Sequence, residues 1–247
     1  MNRGKKEHIV ASLQADILKL QGYKNADSAG VDPGLGPINA SFPNRSFPIG
    51  AIHEFLATDA EDAAAACGFI SGIVSFLTGD YGTILWIGNS SRVFPPALKK
   101  FGLKPENVIF VDLQKQQHIL WAMEEALKCK AISVVIGEVR ELSFPASRRL
   151  QLAVEESQVT GFVLRHNVKS INTTASVSRW RITPMPSEAI DDLPGLGYPS
   201  WKVDLLRIRN GKPGSWIMKW TTSGFQPVEQ DRSIFTIPSH TQNRKAG

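Results

Sequence analysis

The chain of 247 residues (27.1 kDa) is 42% hydrophobic and 21% charged with a mean hydropathy of −0.13, which fits a globular domain and excludes collagen-like and compositionally disordered chains. A formal net charge of +5 and a pI near 9.2 permit contact with nucleic acid without requiring it. The most apolar stretch, Ala63 to Leu77, is interrupted by Ser71, Gly72 and Ser75 and falls short of the roughly 20 residues of a membrane span, so a buried helix and no membrane partner are expected.

Residues 1–10 carry Arg3, Lys5 and Lys6 but lead into no apolar region of signal-peptide type, and the expected location is the cytoplasm. From Glu7 to Gln21, Ile9, Leu13, Ile17 and Leu20 fall at helical spacing, which predicts an amphipathic N-terminal arm over residues 1–22. Residues 23–47 are rich in Asn, Asp, Ser, Gly and Pro and read as a linker. A lone helix of about 15 residues is marginal in water, so the arm must dock on something.

A domain is expected over residues 48–225. It alternates short apolar runs with helical periods: strand Ala51 to Leu56, helix Asp59 to Leu77, strand Thr83 to Ile87, helix Pro95 to Phe101, strand Val108 to Val111, helix Gln114 to Lys128, strand Ile132 to Ile136, helix Pro145 to Ser157 and strand Gly161 to Leu164. Strands that read as continuous apolar runs need cover on both faces, which predicts an α/β fold with a mostly parallel sheet. Arg179 to Ile182, Trp201 to Arg209 and Ser215 to Thr221, the last two joined by a Gly-rich turn, predict an antiparallel β-ribbon at one edge. Residues 226–247 read as a flexible tail, and Cys67 and Cys129 as buried free thiols.

In such a fold a phosphate loop would follow the first strand. That turn reads Thr58, Asp59, Ala60, Glu61, Asp62, Ala63, without the glycines, lysine or following hydroxyl that cradle phosphates and magnesium. The same residues read as a capping box in which the Thr58 hydroxyl accepts the N–H of Glu61. Their negative charge stabilises the helix start and repels a triphosphate. Glu138, at the end of the fourth strand, stands where a magnesium-binding acid would lie, and pairing with Arg140 or another neighbouring cation is its expected role. No hydrolase elbow or metal-binding spacing is present, so no catalytic residue, cofactor or metal is expected.

Phe47 to Leu56, Tyr81 to Ile87, Phe94 to Leu98, Phe101 to Leu103, Leu120 to Leu127, Ser147 to Ala153, Ser178 to Ile182 and Leu205 to Trp216 form an ordered series that resembles the ImuA family of RecA-like proteins. The resemblance implies a RecA-like sheet whose loop has lost its nucleotide chemistry. It also implies a cytoplasmic, non-catalytic accessory factor of damage-induced (SOS) error-prone translesion synthesis, associated with the nucleoid on damage. The implied partners are RecA, an ImuB-like relative of Y-family polymerases and an error-prone DNA polymerase. A more distant likeness to SulA offers a cell-division inhibitor acting on FtsZ as the alternative, and a RecA-like DNA-dependent ATPase is the enzymatic one.

For such an adaptor the candidate contacts are surfaces. Ile9, Leu13, Ile17 and Leu20 would engage a filament interface, since in filament-forming RecA proteins a helix on a linker packs on the neighbouring subunit. Arg148, Arg149, Arg179, Arg181, Arg207 and Arg209, interleaved with Trp180, Trp201, Trp216 and Trp220, suit either single-stranded DNA or a protein partner. The competing reading makes the tryptophans core and the cations solvated.

Overall fold

The apolar runs become a nine-stranded sheet of order β3-β2-β4-β5-β1-β6-β7-β8-β9 in the computed structural model, which describes residues 32–88, 93–187 and 197–228 together with Ser12. The arm positions Ile9, Leu13, Ile17 and Leu20 lie outside the described residues. Strands β1 (Ile52–Leu56), β4 (Val134–Val139) and β5 (Thr160–Arg165) are buried at every position, as central parallel strands must be. They run parallel to β2 (Ile84–Gly88) and β3 (Val108–Asp112).

Helix α1 (Ala60–Thr78) closes one face of the sheet. Its Phe69, Ile70, Ile73 and Val74 enter a large core with Phe55, Trp86, Phe162 and Trp180. Helices α2 (Gln116–Lys128) and α3 (Phe144–Ser157) close the other, where Ile119, Met123, Leu127, Leu150 and Val154 meet Ile52, Val135 and Val163. By length and composition α1 could cross a membrane, but 61% of its apolar window is buried inside the fold, and that apolarity serves the core.

The ribbon grows out of the sheet. Strand β6 (Ser178–Met185) pairs parallel with β1 on one side and antiparallel with β7 (Ser200–Ile208) on the other, and β8 (Gly214–Thr221) and β9 (Gly224–Pro227) follow. The expected α/β fold with a mostly parallel sheet and a C-terminal antiparallel ribbon is the observed one. The fourth strand, expected at Ile132 to Ile136, begins two residues later and runs to Val139. Ile132 is instead held in the turn after α2, where its N–H donates to the Cys129 carbonyl.

Two further boundaries and one cysteine differ from expectation. Residues 32–47, read from composition as linker, form two short 3-10 turns, Gly36–Ser41 and Pro43–Arg45, and bury Leu35, Ile38, Phe42 and Phe47 in the core. The four apolar side chains are too few to pattern an element, yet each fills a slot built by others: the Phe42 ring lies 5.5 Å from Phe47 and 6.0 Å from Trp180. The Ser41 carbonyl accepts the Lys212 N–H at 2.9 Å, tying this strap to the β7–β8 turn. Gln226 and Pro227, expected in the tail, belong to β9, because Phe225 drops into the aromatic core 4.9 Å from Phe69 and brings its neighbours into register. Cys129 is exposed at the end of α2, where the helix turns away from the sheet, and only Cys67 is partly buried.

Candidate functional site

Helix α1 starts one residue later than the capping box predicts. Asp59 is extended and its Oδ1 accepts the Asp62 N–H at 2.8 Å; Asp62 Oδ2 in turn accepts from the Thr58 hydroxyl at 2.6 Å and the Thr58 N–H at 3.2 Å. Thr58 is therefore a donor, and the reciprocal cap is built by two carboxylates, Asp59 and Asp62, rather than by Thr58 and Glu61. The two carboxylates take up the Asp62 and Thr58 N–H groups where a phosphate loop would stand, and they offset the positive end of the helix dipole. Replacing Asp59 by Ala is expected to cost about 0.5–2 kcal/mol in chemical denaturation, and Asp59→Asn much less, since the amide oxygen still caps.

Strands β2 and β4 are neighbours whose chains leave the sheet toward opposite faces. After β2 the segment Val93 to Phe101 packs with α1, whereas β4 leads into α3 on the other side. Such a reversal opens a crevice at the carboxyl ends of the strands, the usual ligand position in open α/β sheets. Here it is a cavity of about 530 Å³, walled by Ala60, Ala63, Ala64, Cys67, Leu98 and Phe101.

Glu138 lies at its base, 4% exposed. Its Oε1 accepts the Trp86 indole N–H at 2.7 Å and its Oε2 is 2.8 Å from His166 Nε2. The expected partner Arg140 lies beyond the end of β4 and is exposed, and a histidine 28 positions away in sequence takes its place. Gly88 gives the carboxylate its room, since a Cβ there would stand 2.9 Å from Glu138 Cβ. Burial, reinforced by the Glu138 charge, pushes the neighbouring Cys67 thiol up, so it stays protonated and unreactive.

A second polar cluster occupies the opposite face of β1. Glu54, fully buried, accepts from Arg165 at 2.8 Å, from Arg179 Nε at 2.9 Å and from the Thr174 hydroxyl at 2.7 Å. Arg179 also donates to the Asn172 carbonyl, while Arg207 donates to the carbonyls of Thr174 and Ser176 and Arg209 to that of Ala175. These arginines clamp the crossover between β5 and β6 onto the sheet, a segment without regular structure whose carbonyls need donors.

No family model matches the chain. Protein ImuA from Caulobacter vibrioides, found in strains NA1000 and CB 15, is 32% identical over 202 residues, covering 77% of this chain and 83% of that relative. The chain belongs to the ImuA family. Residues 1–31 other than Ser12, 89–92, 188–196 and those beyond 228 lie outside the described part of this ImuA-family chain.

Of the cations singled out in the ImuA-family sequence, the structure separates two sets. Arg179 is 7% exposed and spent on Glu54, which removes it from the accessible surface. Arg148 and Arg149 stand on the outer side of α3 with side chains 48% and 63% exposed, paired across solvent with Glu155 at 3.8 Å and Glu124 at 3.2 Å. Such pairs are weak and leave both guanidinium groups available to a partner. Three of the four ribbon tryptophans are core: Trp180, Trp201 and Trp220 are buried, the Trp220 indole donating to the Lys100 carbonyl, while Trp216 is partly buried against the same cluster. With Trp180, Ile182, Trp201 and Val203 facing α1, strand alternation places Arg181, Lys202 and Lys219 on the opposite face of the ribbon. Hydrophobic periodicity finds the tryptophans as core, but nothing local in the sequence marks Trp86, His166 or Glu54 as partners of distant groups.

Proposed function

We propose that the protein is a non-catalytic, RecA-like accessory factor of damage-induced error-prone translesion synthesis, an adaptor linking RecA, an ImuB-like Y-family polymerase relative and an error-prone polymerase. It acts in the cytoplasm and joins the nucleoid when DNA is damaged. Membership in the ImuA family supports the role in damage-induced mutagenesis. The observation that carries the non-catalytic part is the Asp59–Asp62 cap: the helix N-terminus that would hold phosphate is occupied by two carboxylates of the chain itself. Opposite a triphosphate these charges act repulsively, and the described walls of the adjoining cavity hold no lysine or arginine to offset them.

Single-stranded DNA, where it is contacted, is assigned to the phosphate backbone through Arg181, Lys202 and Lys219, since of the four ribbon tryptophans Trp180, Trp201 and Trp220 are buried and Trp216 packs partly buried against the same core. The test is co-purification of the full chain with its host RecA and the ImuB-like protein, with and without single-stranded DNA, alongside an ATPase assay. Capture of both partners without ATP turnover is the expected result. ATP hydrolysis that survives purification and disappears in an Asp59→Arg variant, or capture of neither partner, overturns the reading.

A further inference from the structure

We propose that the cavity beside α1 receives the side chain of an arginine or lysine from a partner protein, an inference that rests on the adaptor reading and gives it a contact point. The place is set by topology. The cavity lies at the crevice between β2 and β4, where the chain departs to opposite faces, and its volume of about 530 Å³ lies within the range of small-ligand sites.

The lining has the two halves that an amphipathic basic side chain requires. Ala60, Ala63, Ala64 and Leu98 form an apolar wall against which an alkyl stem can lie. The charged end meets Glu138. Each of its oxygens accepts one bond inside the protein, from Trp86 and His166, and a carboxylate oxygen has a second lone pair to offer. Asp59 adds a second carboxylate to the lining.

The electrostatics choose the sign of the ligand. Among the described lining side chains the anions are Asp59 and Glu138, and the one basic group is His166, already engaged with Glu138. Anionic phosphates are repelled by this set, and a guanidinium or ammonium is attracted. Phe94, 69% exposed at the same cavity, offers a ring face to a cation or to the residue flanking it. A neutral apolar ligand would leave the Glu138 carboxylate buried without solvent, which disfavours it.

The test uses the full chain and three probes: N-acetylarginine amide, its neutral citrulline counterpart, and magnesium-ATP. Binding is followed by calorimetry and ligand-observed NMR. The arginine probe is expected to bind, with the citrulline probe at least tenfold weaker and ATP not competing. Glu138→Gln is expected to weaken the arginine probe at least tenfold. Ala64→Trp, at an exposed helix position that fills the cavity from its wall, is expected to abolish binding while the melting curve stays that of the parent chain. Equal binding of the two amides, no binding of the arginine probe, or unchanged binding to Ala64→Trp overturns the proposal.

Partner capture is measured with the same variant. Its loss in Ala64→Trp supports a partner's basic side chain as the occupant. Capture unchanged in Ala64→Trp overturns that assignment and leaves the adaptor reading standing. Capture absent from the parent chain overturns the adaptor reading itself, whatever the probes show.

Discussion

Glu54→Ala is expected to destabilise the fold by about 3–5 kcal/mol, because it leaves Arg165 and Arg179 buried without a counter-charge. Both guanidinium groups are nearly inaccessible, at 5% and 9% side-chain exposure, so water cannot replace the carboxylate. The Thr174 hydroxyl loses its acceptor at the same time. A domain of this size is stable by only about 5–15 kcal/mol, so the loss is a large fraction of the total. The damage should be concentrated at the crossover 166–177, whose carbonyls the neighbouring arginines hold. Urea denaturation of the variant tests the magnitude, and amide exchange over 166–177 tests the location. A cost below about 1 kcal/mol, the value of an exposed pair, would mean that the arginines find other partners. Arg149→Ala, which breaks the solvent-side pair with Glu124, is the natural control and is expected to cost less than about 1 kcal/mol.

Acidification is expected to remove about 3 kcal/mol through His53 alone. This imidazole is fully buried beneath Phe47 and beside Phe162, 4.4 Å and 5.3 Å between ring centres, and burial lowers its pKa from 6.5 to about 4 against a smaller raising effect from the Pro48 hydrogen bond. The hydrogen bonds explain why the neutral form is the one that fits. Nε2 donates to the Pro48 carbonyl at 2.7 Å, leaving Nδ1 to accept from the Ser178 hydroxyl at 2.6 Å, and that hydroxyl already accepts the Trp180 indole N–H. A proton on Nδ1 would face an oxygen whose own hydrogen must turn away.

Because the folded-state pKa lies below the unfolded one, the unfolded chain binds the proton first. The contribution is complete above about pH 6.5 and is lost as pH falls toward about 4, at up to about 1.4 kcal/mol per unit. Below that no further loss comes from this group. Unfolding free energies of the parent chain and of His53→Gln at pH 7, 6, 5 and 4 test the assignment. The variant starts lower and is expected to show a flatter profile, and parallel profiles would place the acid sensitivity elsewhere.

Several parts of this protein were legible because they depend on local pattern. Ile132 to Ile136, apolar but for Ser133, reads as a strand covered on both faces, so the parallel sheet and its flanking helices follow; Val108 to Val111 reads the same way but forms the edge strand, where Ile109 is 53% exposed. The Gly-rich turn between Trp201 and Trp216 likewise announces a hairpin. The helix start was legible to within one residue, since Thr58, Asp59 and Asp62 are all competent caps, and backbone geometry rather than residue type selects which of them accepts. The packed strap over 32–47 was not legible: its composition is that of a linker, and its four core side chains contact residues far away in the chain.

The candidate site divides the same way. The lack of glycine, lysine and hydroxyl after β1 is a fact of sequence, and so is the surplus of acid there. That Glu138 shares a cavity with Asp59, bonds Trp86 and meets His166 is a fact of the fold alone, since these groups come from four different segments that the sheet order makes neighbours. The arginines show the limit most plainly. Arg148, Arg149, Arg179 and Arg207 look alike as charges along the chain, yet two are solvated on a helix, one is buried on a carboxylate and one is fixed by backbone carbonyls. A residue's charge is written in the sequence, whereas its value depends on the solvent and partners around it, which only long-range packing supplies.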